Sequence, residues 1–182
     1  MADSPYRFLQ RAHREGPSIV VPAITTERRK YIPIEFFDGN TVASNKIYSI
    51  YDAETWVFGL IHSRMHMAWV GAVTGRLRTG FSYSSGLVYN TFPVPELTES
   101  QRDQLQRTVF GILEARARYA GNTLAELYDP DKMPNPLREA HQNLDEIVDR
   151  IYRKKPFESD EERLELLFKM YSEMTSEEST VA

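Results

Sequence analysis

The 182-residue sequence contains no cysteine. Disulfide frameworks and thiolate-held zinc or iron–sulfur sites are therefore excluded. No apolar run approaches the ~18 residues that a membrane-spanning helix needs. The start, Met1-Ala2-Asp3-Ser4-Pro5, lacks the charged-then-apolar layout of a signal peptide. A cytoplasmic protein with no membrane partner is expected. Also missing are a Walker loop, a Gly-x-Gly-x-x-Gly turn and a Gly-x-Ser-x-Gly elbow. Nothing resembles a self-sufficient active site, so no catalytic residue is assigned.

What the chain does have is an uneven distribution of charge. The net charge is −4. Residues 1–92 carry ten Lys+Arg against seven Asp+Glu, whereas residues 93–182 carry twelve against nineteen. Such asymmetry points to halves with different tasks. The join is Phe92-Pro93-Val94-Pro95, where two prolines remove backbone donors and disfavour helix before them. The second half reads as three helices, expected over residues 93–171. Thr98 with Gln101 and Ser159 with Glu162 are capping-box patterns. Asn135 precedes Pro136 as an expected N-cap, and Leu137, Ala140, Leu144, Ile147, Val148 and Ile151 form an apolar stripe. The short polar and acidic residues 172–182 read as a flexible tail.

The first half, residues 1–92, is mixed. Apolar runs at 18–22, 31–37, 46–51 and 86–89 have strand character. Between the third and fourth, residues 53–73 read as one long helix, apolar on most faces and hence buried. The expected fold class is therefore α+β: a small mixed domain with one long buried helix, then an all-α domain.

Three features bear on chemistry. His62 and His66 are spaced i, i+4, but Ser63 stands where the zinc-protease pattern requires Glu, and no third ligand is evident, so no metal is expected. Glu27-Arg28-Arg29-Lys30-Tyr31 concentrates three cations before an aromatic residue. This suits either contact with phosphates or a solvated loop. Gly75-Arg76-Leu77-Arg78-Thr79-Gly80-Phe81-Ser82-Tyr83-Ser84 combines arginines, which can bond the O6/N7 edge of guanine, with hydroxyls that bond either way. It is a base-reading segment or an ordinary polar loop.

These segments occur in a recognisable order: Glu27 to Ile34, Ser44-Asn45, Met65-His66-Met67-Ala68-Trp69-Val70, Gly75-Arg76-Leu77, Tyr83-Ser84, and Val88-Tyr89-Asn90-Thr91-Phe92-Pro93-Val94-Pro95. In this order they resemble the target-recognition domain of the MmeI-like (type IIL) DNA methyltransferases, which are single-chain restriction–modification enzymes. The run Ala117-Arg118-Tyr119, then Leu124 to Pro134, is similar to that family's C-terminal domain. Val94 and Thr91 depart from the pattern, which has Trp and Asn there. The family's S-adenosylmethionine pocket and Asn-Pro-Pro-Tyr motif do not occur in these residues. The resemblance implies a fragment or specificity piece of an adenine-N6 methyltransferase. It would bind double-stranded DNA, with S-adenosylmethionine and catalysis supplied by a methyltransferase domain in cis or in trans, and would show no activity alone. By the same resemblance, Arg78, Gly80 and Ser82 would read bases, with Leu77 and Tyr83 as scaffold. Arg28, Arg29, Lys30, Arg64 and Arg76 would contact phosphates, with His66 a lesser candidate, and Asn45 would either reach a base or, the favoured reading, hold its own turn. The alternative is a subunit that docks a methyltransferase without touching DNA.

Overall fold

The computed structural model describes residues 13–74, 76, 77 and 80–181, without side-chain detail at 76, 77 and 177–181. It is α+β, as expected. Strands β1 (Ser18–Pro22), β2 (Ile24–Thr26), β3 (Glu35–Phe37) and β4 (Ile47–Tyr51) precede helices α1 (Thr55–Ile61) and α2 (Arg64–Val73). Then come β5 (Arg76–Leu77), β6 (Gly80–Ser82) and a π-helical turn, Ser85–Tyr89. Helices α3 (Glu99–Ala117), α4 (Leu124–Leu127), α5 (Asn135–Tyr152) and α6 (Asp160–Val181) complete the chain. The strands form two three-stranded antiparallel sheets, ordered β3-β1-β4 and β2-β6-β5.

Several sequence expectations need correction. The long helix is two helices. At the break, the Ser63 hydroxyl donates to the Leu60 carbonyl and accepts from the His66 amide, so it caps α2. Residues 86–89 are helical, not extended, because Ser84 caps that turn through the Leu87 amide. Four apolar residues cannot by themselves set a period. Only 35–37 of the 31–37 run pairs as strand, since Pro33 lacks a donor. The residues from Ser172 onward continue α6 to Val181 rather than forming a tail.

The capping box at Thr98 forms in full: its hydroxyl accepts from the Gln101 amide, and Gln101 accepts from the Thr98 amide. Asn135 is the first residue of α5 and not its N-cap, a position held by Pro134, and the helical half has a fourth, one-turn helix, α4, beyond the three expected.

The two halves share one hydrophobic core. Phe58, Leu60, Met65 and Trp69 from α1 and α2 lie within it, alongside Leu105, Val109 and Ile112 of α3, Leu144 and Val148 of α5, and Leu167 of α6. Where α1 crosses its neighbours, a methyl would fit only if side chains gave way slightly. A Cβ on Gly59 would stand 3.2 Å from Val109 and 3.4 Å from Leu144. The proline join is also held down. Phe92 is buried, and the Tyr152 hydroxyl donates to the Pro93 carbonyl at 2.9 Å. Thr91 accepts from the Trp69 indole N–H, so the departure at this position keeps a hydrogen-bonding side chain.

Candidate nucleic-acid interface

The segment after α2 is an antiparallel ribbon. Leu77 pairs with Gly80 and Arg76 with Phe81, and β6 also pairs with β2 through Ile24↔Ser82, Thr25↔Phe81 and Thr26↔Gly80. Strand alternation then sorts the faces. Phe81 and Thr25 are buried, and the Phe81 ring lies against Gly71 of α2. Ser82, Ile24 and Thr26 are exposed on the other face, with Gly80 opposite Thr26. Thus Ser82 is presented to solvent on a ribbon backed by α2. Arg78, the strongest candidate base reader, lies outside the described residues; in sequence it falls between the paired ends of β5 and β6. Arg76 is in β5. Strand β2 is not among the strands expected from the sequence; its one local signal is the exposed–buried–exposed alternation of Ile24-Thr25-Thr26.

The basic segment is anchored to the helical half. Arg28 pairs with Asp131 at 2.7 Å, both side chains being about 70% exposed (68% and 70%). Such a pair contributes little and can exchange partners. Lys30 is exposed. Arg29 is turned inward: its guanidinium donates to the carbonyls of Ala125 and Tyr128, both at 3.3 Å, at the end of α4. Tyr31 is buried, stacked on His141 with ring centroids 4.0 Å apart, and its hydroxyl donates to Asp145 at 2.7 Å.

Arg64 and His66 are committed to internal partners. The Arg64 guanidinium makes two 2.8 Å bonds to the Asp160 carboxylate. His66 has no exposed surface, and its Nε2 lies 3.1 Å from the Tyr83 hydroxyl. No phosphate can touch it in this arrangement, which corrects the expectation for that residue. Burial also pushes its pKa down to about 3, because the imidazolium would lose its hydration. Tyr83 is buried and acts as a support for α2.

A polar cluster sits deeper, between the halves. Arg116 is buried and donates through Nε and Nη2 to the Tyr128 hydroxyl, at 2.9 and 2.6 Å, and through Nη1 to the Ile34 carbonyl. A guanidinium cannot accept, so His62 Nε2, 3.3 Å from Nη2, is the acceptor. The Tyr128 proton is then left for His141 Nε2 at 2.8 Å. Burial holds both histidines well below their ordinary pKa, assisted by the Arg116 charge and, at His62, by His141. His62 is fully buried and His141 likewise, so this cluster fastens the fold and is closed to substrate. His62 and His66 belong to separate networks, and among the described residues no three metal-ligating side chains converge.

Comparisons with known proteins agree with this architecture. Residues 1–96 match the family described as MmeI, target recognition domain, and residues 97–178 match MmeI, C-terminal domain. The chain is 50% identical over 175 residues to DNA methyltransferase A of Bacillus subtilis (strain 168), covering 96% of this chain and 20% of the relative. A solved structure of the type IIL restriction–modification enzyme MmeI in complex with DNA superimposes with a TM-score of 0.91 at 40% identity, over 95% of this chain and 23% of that one. The chain thus spans about a fifth of the length of each. It belongs to the MmeI family of DNA methyltransferases and type IIL restriction–modification enzymes, of which it carries the target recognition domain and the C-terminal domain.

Proposed function

We propose that this chain is the sequence-reading part of an adenine-N6 DNA methyltransferase that uses S-adenosylmethionine. It holds double-stranded DNA for a catalytic domain lying outside these residues. The observation that carries this reading is the exposed face of β2 and β6, with Ser82 outward on a ribbon braced by α2. An exposed antiparallel strand pair such as β2 and β6 suits a major groove, which admits a two-stranded ribbon. Arg78, Gly80 and Ser82 read base edges from it. Gly80 has no side chain to offer, so its role is to let a base pair or a neighbouring side chain come close. Arg28, Lys30 and Arg76 contact phosphates. Arg28 does so by exchanging Asp131 for a phosphate oxygen. Arg29 and Arg64 contribute by tying their segments to the helical half, Arg29 through the carbonyls of Ala125 and Tyr128 and Arg64 through the half-exposed pair with Asp160.

The test is duplex binding by the chain, measured against salt, with a duplex it selects from a randomised pool and a scrambled control. Arg78→Ala should cost about 1–3 kcal/mol at one base pair and relax the preference there. Lys30→Ala should weaken both duplexes alike and flatten the salt dependence by about one counterion. Identical behaviour of the two variants would refute the division between readers and phosphate contacts. Tight binding to a methyltransferase chain with no duplex affinity at low salt would favour a docking subunit instead.

A further inference from the structure

Both DNA-facing segments converge on one carboxylate of the helical half. Asp145 lies on α5. Its Oδ2 accepts from the hydroxyl of Tyr31, the residue that follows Arg28-Arg29-Lys30. Its Oδ1 accepts from the backbone amide of Arg64 at 2.8 Å. Arg64 is the first residue of α2, so Asp145 satisfies one of the helix's open N-terminal donors from a different element. Ser63 caps the same helix through the His66 amide. Two donors in the first turn of α2 are therefore met, one locally and one from α5. At its other end, α2 leads directly into β5 and the base-reading ribbon.

We propose that Asp145 is a positioning residue for DNA recognition, holding the phosphate-contacting segment and the reading helix in one frame through Tyr31 and Arg64. This rests on the functional reading above. The two arms have different consequences. Tyr31 ties down only the basic segment, whose contacts are blind to sequence. The Arg64 amide ties down α2 and with it the ribbon. A carboxylate suits this role because its two oxygens accept from the two segments separately, Oδ2 from Tyr31 and Oδ1 from Arg64. The surroundings keep it in place. Tyr31 faces it from the basic segment and Arg64 from α2, Asp149 lies on its own helix, and Arg163 and Asp160 of α6 close the far side.

The role depends on hydrogen bonds and not on charge. Asparagine can accept from the Arg64 amide through Oδ1 and donate to the Tyr31 oxygen through Nδ2, whereas alanine can do neither. Three variants of the full chain therefore separate the cases, with the selected and scrambled duplexes as probes and amide hydrogen exchange at residues 27–32 and 62–67 as a second readout. Asp145→Ala should lower the ratio of selected to scrambled affinity about tenfold, the equivalent of one net hydrogen bond, and speed exchange in both segments. Asp145→Asn should restore the ratio to within about twofold of the unaltered chain and return exchange to its original rate. Tyr31→Phe should weaken both duplexes equally, keep the ratio, and speed exchange only at 27–32. An unchanged ratio in Asp145→Ala, or an Asp145→Asn variant as impaired as Asp145→Ala, overturns the proposal. An unaltered chain that binds neither duplex overturns the functional reading and this proposal with it. That outcome is distinguishable, because the exchange response to Asp145→Ala then persists without any binding to modulate.

Discussion

Histidines 62, 66 and 141 are all sealed in the core as neutral rings. Their folded pKa values lie below the unfolded value near 6.5, so the stability they carry is complete above that value and is lost as the pH falls through it. Each costs up to about 1.4 kcal/mol per pH unit on the acid side. Asp145 has the opposite sign. Burial raises its pKa from 3.8 to about 6, against the hydrogen bonds from Arg64 and Tyr31 that favour its charge. Its contribution is complete below 3.8 and is lost as the pH rises through 6. Three histidines outweigh one carboxyl, so unfolding near pH 5.5 should take up about two protons net. The pH dependence of urea-unfolding free energy measures this uptake. A flat profile between pH 7 and 5 would mean that the rings are not held neutral. Asp145→Asn should steepen the acid limb, since the opposing group is gone.

Helix α2 owes its position to a break that a simple apolar pattern hides. From Thr55 to Val73 nearly every face is apolar, and such a pattern has no feature that separates one buried helix from two. The break is made by Ser63, whose hydroxyl is bonded on both sides. It turns α2 so that Asp145 and Asp160 can reach Arg64. Ser63→Ala should destabilise the chain by about 1 kcal/mol through loss of the cap. It should do so with little change in the denaturant slope, which reports surface exposed on unfolding. The measurement is a urea melt of both forms. A gain in stability would mean that an unbroken helix suits the core better than the observed pair.

The proline join suggests two independent domains, yet the core runs through both halves. Phe58 and Leu60 lie with Leu105, Val109 and Leu144, and Trp69 packs against Phe168 and Tyr171 of α6 with ring centroids 5.2 and 5.8 Å away. Each large side chain of this kind loses about 1.5–3 kcal/mol when its cover is removed. Residues 1–96 produced without the helices should therefore lack a cooperative transition and bind a hydrophobic dye, whereas the full chain should unfold in one step. Calorimetry of both pieces decides this. A sharp transition in the short piece would show that the recognition half folds unaided. No helix among the described residues is long and apolar enough to cross a membrane, and the apolar surface of α1 and α2 is used between the halves instead.

The identity of the family and the mixed-then-helical order could be read from the chain alone, because capping boxes, proline placement and the ordered run of short motifs are local. The α+β class, the start of α3 and the strand at Ser18–Pro22 were legible for the same reason. Tertiary structure alone decided which polar groups face outward. Arg29, Arg64 and His66 look like their exposed neighbours in sequence, yet they are spent on carbonyls, a carboxylate and a tyrosine. Asp145 looks like any charge on a helix face, yet it joins two segments more than eighty residues upstream. A side chain's partner depends on what the fold brings within about 3 Å of it, and that distance is set by packing between elements remote along the chain.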